Sequence, residues 1–332
     1  MLDRREFLQT LMASLPALLI FNKNDQHQDK TGPLLQKRLL GKTGESVTML
    51  GLGGYHIGWT TERDAQETIE TALAGGVRFF DTAESYNKGT SEIRYGKYLT
   101  PKYREKIFLM TKTTGEEAKT VQRHLDESLK RLHTDYLDLW QVHSIKDPDD
   151  VDARIENGVL NVFEQAKQAG KVRYIGFTGH RNPKAHLRLL ERTAHNDIFD
   201  TCQMPVNVLD PSYYSFVKNV IPVIQKRKIA LLAMKTLADG RFFSQKKQLD
   251  DIKWQTDDPV IPNYLTVKEA LYFAWSLPVS VLITGAENAG LLKEKIELAK
   301  SFSELSDSDR DALIDKVAHL AQEAKIEYFK EI

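Results

Sequence analysis

The sequence predicts an α/β fold of the (β/α)8, or TIM-barrel, type. Eight short runs rich in β-branched and aromatic residues alternate with helix-period stretches from Gln36 onward. Strands that alternate with helices form parallel βαβ units. The roughly 297 residues from Gln36 give about 37 per unit, which suits eight units with insertions. The rival architecture, a doubly wound open sheet, carries a G-x-G-x-x-G between an early strand and helix. Here Gly51-Leu52-Gly53-Gly54 lacks the third glycine.

The elements follow in order. Residues 1–35 stand apart from the barrel. A charged head, Asp3-Arg4-Arg5-Glu6, precedes a mostly apolar run from Phe7 to Phe21 that contains Gln9, Thr10, Ser14 and Pro16. That run is short for a membrane span, which needs about 20 apolar residues. Arg4-Arg5-Glu6-Phe7-Leu8 resembles the twin-arginine export motif. The resemblance implies export by that machinery to a periplasmic or membrane-associated site. A chance arginine pair on an amphipathic helix would leave the chain cytoplasmic. No A-x-A cleavage pattern follows Phe21, and residues 22–35 are a polar linker. Two segments result, a signal and linker over 1–35 and a barrel domain over 36–332.

Lys37 to Val47, with Gly41 and Gly44 between its arms, reads as a hairpin that closes the barrel bottom. The strands are expected over Val47–Gly53, Val77–Thr82, Ile107–Lys112, Leu137–His143, Val172–Thr178, Phe199–Met204, Ile229–Met234 and Val279–Ile283. Helices are expected over Glu62–Ala74, Glu116–Leu132, Val151–Ala169 and Pro183–His195. Thr61 with Asp64 caps the first, while Gly75-Gly76 and Gly170 stop the first and third. A long irregular loop is expected over 238–264 after strand seven, and a charged amphipathic helix over Ser306–Ile332.

Composition narrows the function. Lys plus Arg is 46 and Asp plus Glu is 46, so the chain lacks the basic footprint of a nucleic-acid binder. Its single cysteine, Cys202, excludes an internal disulfide and a cysteine-only metal cluster. No H-x-x-x-H or C-x-x-C spacing occurs, so no metal is expected.

In such a barrel the chemistry lies at the C-terminal ends of the strands. Strand two ends in Asp81-Thr82-Ala83-Glu84-Ser85-Tyr86, strand three in Lys112, and strand four in His143. A tyrosine is a weak acid, with an unperturbed pKa of about 10. A neighbouring ammonium lowers that value, and a carboxylate holds the ammonium charged. A histidine orients a substrate oxygen. Asp81, Tyr86, Lys112 and His143 together would polarise a carbonyl, protonating its oxygen while a hydride reaches its carbon.

The pieces Leu40-Gly41-Lys42-Thr43-Gly44, Gly51-Leu52-Gly53-Gly54, Phe80-Asp81-Thr82-Ala83-Glu84-Ser85-Tyr86, Ser91-Glu92-Ile93-Arg94-Tyr95-Gly96-Lys97, Lys112 and His143 resemble the aldo-keto reductases. The resemblance runs from about Gln36 to about Lys300. It implies an NAD(P)H-dependent reduction of an aldehyde or ketone. In it Tyr86 is the proton donor, Lys112 its tuner, Asp81 the anchor of the lysine, and His143 the group that orients the carbonyl.

The resemblance also implies a nicotinamide dinucleotide, with NADP(H) the family's usual cofactor and NAD(H) open. Gln203 matches the glutamine that holds the carboxamide, and Thr178 replaces a serine. Gly179 stands where the family has asparagine, with His180 either compensating or solvated. Met234-Lys235 replaces a stacking tyrosine, and methionine sulfur still packs on a ring. Gly285 and Ala286 replace a Lys-Ser pair that grips the 2′-phosphate, and Leu291 falls near an arginine position. Glu287 could receive a ribose hydroxyl instead, as acids do in NAD sites. Lys293, Lys295 or Arg241 could supply phosphate charge. Gly53, Asp81, Thr178, Gln203, Met234, Lys235, Gly285 and Glu287 are therefore the cofactor candidates.

Tyr55, His56, Trp59 and Trp140 are expected at the mouth, with Tyr55, Trp59, Trp140 and His143 as substrate contacts. The loops 144–151 and 238–264 would be lids. The expected partner is a small carbonyl compound with an apolar or sugar-like body. Two other readings of the residues stand beside this one. The chain could be a non-catalytic nicotinamide-binding module that senses redox state or docks on a partner. It could also be a Schiff-base aldolase or isomerase acting through Lys112.

Overall fold

The structure is a computed structural model that describes residues 28–29, 31–240, 242–243, 245–246, 254–255, 261, 264–321 and 326–331. The arginine pair and apolar run of the N-terminus lie outside these residues, as do Arg241 and much of the 238–264 loop. Among the described residues no helix is long and apolar enough to cross a membrane.

Eight parallel strands close into a barrel in chain order. They are β1 (Leu50–Gly53), β2 (Phe79–Asp81), β3 (Phe108–Thr113), β4 (Leu137–Val142), β5 (Val172–Thr178), β6 (Thr201–Pro205), β7 (Ala230–Met234) and β8 (Val279–Thr284). Each matches an expected strand to within a few residues, except that Ser46–Thr48 belongs to the hairpin and not to β1. Around them run α1 (Gly54–Trp59), α2 (Glu62–Ala74), α3 (Thr90–Tyr98), α4 (Ala118–Arg131), α5 (Pro148–Glu156), α6 (Val159–Gln168), α7 (Pro183–Arg192), α8 (Phe216–Lys226), α9 (Val267–Trp275), α10 (Ala289–Lys300) and α11 (Asp307–Val317).

Thr61 caps α2 by accepting the Asp64 amide. The single helix expected over 151–169 is two. Asn157 ends α5, and Gly158, in the left-handed conformation (φ 74°), turns the chain into α6. The helix expected over Ser306–Ile332 also falls short. Ser306 caps α11, which stops at Val317, and a single 3-10 turn over Ala318–Leu320 follows.

Side-chain alternation sorts the barrel interior from its outside. Phe79, Phe108, Met110, Leu139, Leu232 and Val281 fill the interior. Leu40 and Val47 of the hairpin join the same cluster, so the hairpin does plug the barrel bottom. Arg38 donates to Val279 O at 2.7 Å, and the Lys42 amide donates to Lys228 O at 2.9 Å, which pins the plug to the first residues of the strands.

Candidate active site

The interior rows of β2, β3 and β4 continue upward from apolar to polar. Phe79 is followed by Asp81, Met110 by Lys112, and Leu139 by Gln141 and then His143. Register places Asp81 beside Met110 and Lys112 beside Gln141. The same period-two rule that packs the core therefore brings the four expected residues to one end.

They meet there. The Lys112 ammonium pairs with the Asp81 carboxylate and donates to Thr82 O at 2.8 Å and to Tyr86 Oη at 3.0 Å. The His143 ring stands edge-on to Tyr86, with centroids 5.7 Å apart. Asp81 and Lys112 are buried. Burial alone would favour loss of the lysine proton, but the Asp81 carboxylate and the Tyr86 oxygen outweigh it and raise the Lys112 pKa. A lysine so engaged is held as its ammonium, the form that can serve the neighbouring phenol.

One electrostatic expectation is corrected. Burial raises the Tyr86 pKa to about 12, outweighing the lowering effect of Lys112. The phenol is therefore neutral near pH 7, as a proton donor must be. Burial, with Lys112 nearby, holds the His143 pKa well below its ordinary value, so the ring is a neutral imidazole. Its Nδ1 is buried without a hydrogen-bond partner among the described residues.

The second signature, Ser91 to Lys97, lies on α3 and supports the site. Ser91 Oγ donates to Gly54 O at 2.7 Å and bonds Thr82 Oγ1 at 2.7 Å. Arg94 donates to Thr60 O at 2.8 Å, holding the end of α1. Buried Glu92 accepts from Thr111 at 2.6 Å and from Arg131 at 2.7 Å, which joins α3 to β3 and α4.

Tyr55 and Trp59 sit one turn apart on α1, 37% and 39% exposed, and the Tyr55 ring meets Tyr86 edge-on at 5.6 Å. Tyr55 thus stands beside the site, with Trp59 next to it on the same helix. Trp140 does not. It is completely buried and stacks on Phe163 of α6 with centroids 3.9 Å apart. Residues 139, 141 and 143 face inward, so 140 must face the helices, and Trp140 is core. The 144–151 loop is also shorter than expected. Asp147 caps α5, which begins at Pro148, leaving five residues between β4 and the helix.

On the far side of the mouth, Thr178 Oγ1 lies 3.9 Å from Met234 Sδ. Gln203 is buried, and its Oε1 has no partner among the described residues. A side chain at 179 has no room. A Cβ there would stand 2.7 Å from Ile145 O and 2.9 Å from the His186 ring, which explains why glycine replaces asparagine. The His180 ring is half-buried and packs edge-on to Phe329.

A cleft of about 320 Å³ opens beside the mouth, between α1 and the ends of β7 and β8. Lys235, Gly285 and Glu287 are among the residues that line it. Gly53 lies at the end of β1. Sequence reasoning missed Thr236, a buried cleft residue whose Oγ1 lacks a partner among the described residues. Its only sequence signal is its place just after β7. Also missed was a buried cluster over β6, where Lys330 reaches Asp210 and Glu327, each at 2.8 Å, and Asn207 donates to Glu327 at 2.8 Å. It anchors residues 326–331 against the loops after β5, β6 and β7. Among the described residues no group of acidic, histidine or cysteine side chains is placed to hold a metal.

Comparison with known proteins decides the family. The aldo/keto reductase family model matches residues 49–318. The chain belongs to the aldo/keto reductase family. It is accordingly an oxidoreductase enzyme. A curated relative, the uncharacterized oxidoreductase YrpG of Bacillus subtilis, is 35% identical over 178 residues, 46% of this chain and 53% of that one. The match thus spans about half of the relative's length. Among solved structures, the holo form of aldo-keto reductase AKR11C1 from Bacillus halodurans superposes with a TM-score of 0.68 at 24% identity. That match covers 85% of this chain and 96% of that one. An aldo-keto reductase from Klebsiella pneumoniae in complex with NADPH superposes at 0.64 and 21% identity, covering 84% and 94%. These two likenesses concern the fold.

Proposed function

We propose that the chain reduces an aldehyde or ketone to an alcohol with a reduced nicotinamide dinucleotide. The observation that carries this reading is the buried Asp81–Lys112–Tyr86 chain beneath the neutral His143 ring. The residues of the mouth suit the cofactor. Gln203 Oε1 is a buried acceptor with no partner among the described residues, and Thr236 Oγ1 is a buried hydroxyl on the cleft wall. Thr178, Gln203 and Met234 would hold the nicotinamide end. Lys235, Thr236, Gly285 and Glu287 would line the path of the rest. The bound NADPH of the Klebsiella protein supports NADP(H) as the cofactor class.

When bound, the reduced nicotinamide supplies a hydride to the carbonyl carbon. The protein handles the oxygen. His143 orients it, and Tyr86, kept protonated by burial, gives its proton as negative charge develops there. Lys112, held charged by Asp81, then stabilises the phenolate. Tyr55 and Trp59 offer ring faces to the body of the substrate.

The purified chain, given NADPH or NADH and a panel of aldehydes and ketones, should consume cofactor one for one with alcohol formed. Cofactor binding with no consumption across the panel would favour a sensing or docking module. We further propose that residues 1–35 direct export, supported by Arg4-Arg5-Glu6-Phe7-Leu8 ahead of the apolar run. Changing Arg4 and Arg5 to lysine should abolish export of a reporter fused to this segment. Unchanged export would contradict the assignment.

A further inference from the structure

Two buried charged side chains flank the site without a part in the proton transfer. Glu84 lies in the turn between Asp81 and Tyr86. Its Oε1 accepts from the Thr114 amide at 2.8 Å and from Thr114 Oγ1 at 2.5 Å, and His124 Nδ1 of α4 stands 3.4 Å from the same oxygen. Arg154 lies on α5. It donates to Gly115 O at 3.2 Å, to Thr114 O at 3.4 Å and to Asp150 at 3.0 Å, with Glu116 3.6 Å away. The turn over 113–115, where the chain leaves β3, is thus gripped on its amide side by Glu84 and on its carbonyl side by Arg154.

Each grip reaches one of the groups that act on the carbonyl oxygen. Glu84 and Tyr86 share one tight turn, closed by the Tyr86 amide donating to Ala83 O at 3.1 Å. On the other side, Thr113 O accepts the His143 amide at 2.8 Å. Ser144, next to His143, is in the left-handed conformation (φ 57°), which a serine keeps only where its neighbours enforce it. The enforcing contacts lead to Arg154, because Asp150 accepts the Lys146 amide at 2.9 Å and is itself bound by Arg154. His143 Nδ1 has no partner among the described residues, so the ring is not anchored through that atom and its backbone must place it. Electrostatics do not account for Glu84. Burial is the main cause of the raised Tyr86 pKa, and the Glu84 carboxylate adds a smaller push in the same direction. Its charge therefore opposes the phenolate that proton transfer leaves, and its contribution has to be geometric.

We propose that Glu84 and Arg154 are positioning residues that clamp the 113–115 turn between them and so fix the Tyr86 hydroxyl and the His143 ring at the spacing one carbonyl oxygen requires. Tyr86 follows β2 and His143 follows β4, and the clamped turn follows β3, which lies between them in the barrel. A hold on that turn from both sides sets both groups. A displacement of about 1 Å at a reacting centre can cost about 10²-fold in rate. The proposal rests on the reductase reading, because the spacing matters only to a carbonyl that meets both groups.

The test is steady-state kinetics and equilibrium dinucleotide binding on the full chain, with the carbonyl compound that wild type reduces fastest. Glu84→Ala and Arg154→Ala should each lower kcat by about 10- to 10²-fold, with dinucleotide Kd within about twofold of wild type. Glu84→Gln, whose amide oxygen still accepts both Thr114 donors, should recover most of the loss. Arg154→Lys should not, because one ammonium cannot span Asp150 and the turn as the guanidinium fork does. In a Tyr86→Phe background, Glu84→Ala should cost less than about twofold more, since the group it positions no longer gives a proton. An equal loss in both backgrounds would reveal a merely structural role and overturn the proposal. Turnover within about twofold of wild type in both alanine variants would also overturn it and leave the reductase reading standing. Where an alanine variant does not fold, Glu84→Gln against Glu84→Asp decides, because the shorter carboxylate cannot reach Thr114; equal kcat in the two would overturn the proposal. Wild type that consumes no cofactor with any carbonyl would overturn both readings.

Discussion

At the N-terminal end of the barrel, Asp138 is paired with Arg104 at 2.8 Å and Arg173 at 2.7 Å, and it accepts the Leu109 amide at 2.8 Å. Asp200, at the same end, accepts the Ile175 amide at 2.9 Å and pairs with Lys167 at 3.1 Å. At the opposite end Gln203 Oε1, Thr236 Oγ1 and His143 Nδ1 are buried with no partner among the described residues. Both ends bury paired carboxylates, and the C-terminal end adds these three polar atoms that no described residue completes. An unsatisfied buried polar atom costs about 1–3 kcal/mol, so a protein keeps one where a ligand will complete it. The N-terminal end is built for stability and the C-terminal end for chemistry, as in other barrels of this class.

This division can be broken by mutation. Lys112→Met has the largest expected effect, because it touches both properties. It removes the tuner of Tyr86 and leaves Asp81 buried without its cation. Turnover should fall by about 10³-fold, and stability by about 3–5 kcal/mol. Steady-state kinetics and urea unfolding would check the two losses. Asp138→Ala should separate them. Stability should fall by about 3 kcal/mol with kcat/KM within about twofold of wild type. A large loss of turnover in that variant would blur the division of labour.

A pH effect comes next. Burial lowers the His186 pKa to about 4 and holds that of His143 well below its ordinary value. The unfolded chain binds protons at these positions from about pH 6.5 downward, and the folded chain does not. Stability from His186 is therefore fully present above about pH 6.5 and is lost as pH falls toward 4. The loss should be about 2 kcal/mol near pH 5. Urea midpoints between pH 7 and 5 should show it, and His186→Gln should flatten that part of the slope. A slope unchanged in the variant would assign the effect to other groups. The smallest effects sharpen the mouth. Trp59→Ala should raise KM a few-fold without moving Tm, and Trp140→Phe should lower Tm without moving KM.

Much of this was legible in the sequence. The eight strands could be read because a buried parallel strand must be a run of apolar, largely β-branched residues. Asp81, Tyr86, Lys112 and His143 could be read because each lies at or just beyond the C-terminal end of a strand. Trp140 was misplaced although the rule that corrects it was available, since a residue next to inward-facing Gln141 must point outward. The rise in the Tyr86 pKa was not legible, because burial depends on the packing around the ring. The Lys330–Asp210–Glu327 cluster was hidden because Asp210 lies 120 positions before Lys330, and no spacing rule reports such a pair. Thr236 was hidden for the same reason, because only the folded cleft gives its hydroxyl a meaning.

The most direct test of the account is Tyr86→Phe, with dinucleotide affinity, melting temperature and turnover measured on the same preparation. The account predicts unchanged affinity and melting, with turnover reduced by about 10²–10⁴-fold. Turnover within about twofold of wild type would contradict it, because the proton would then come from a group other than Tyr86.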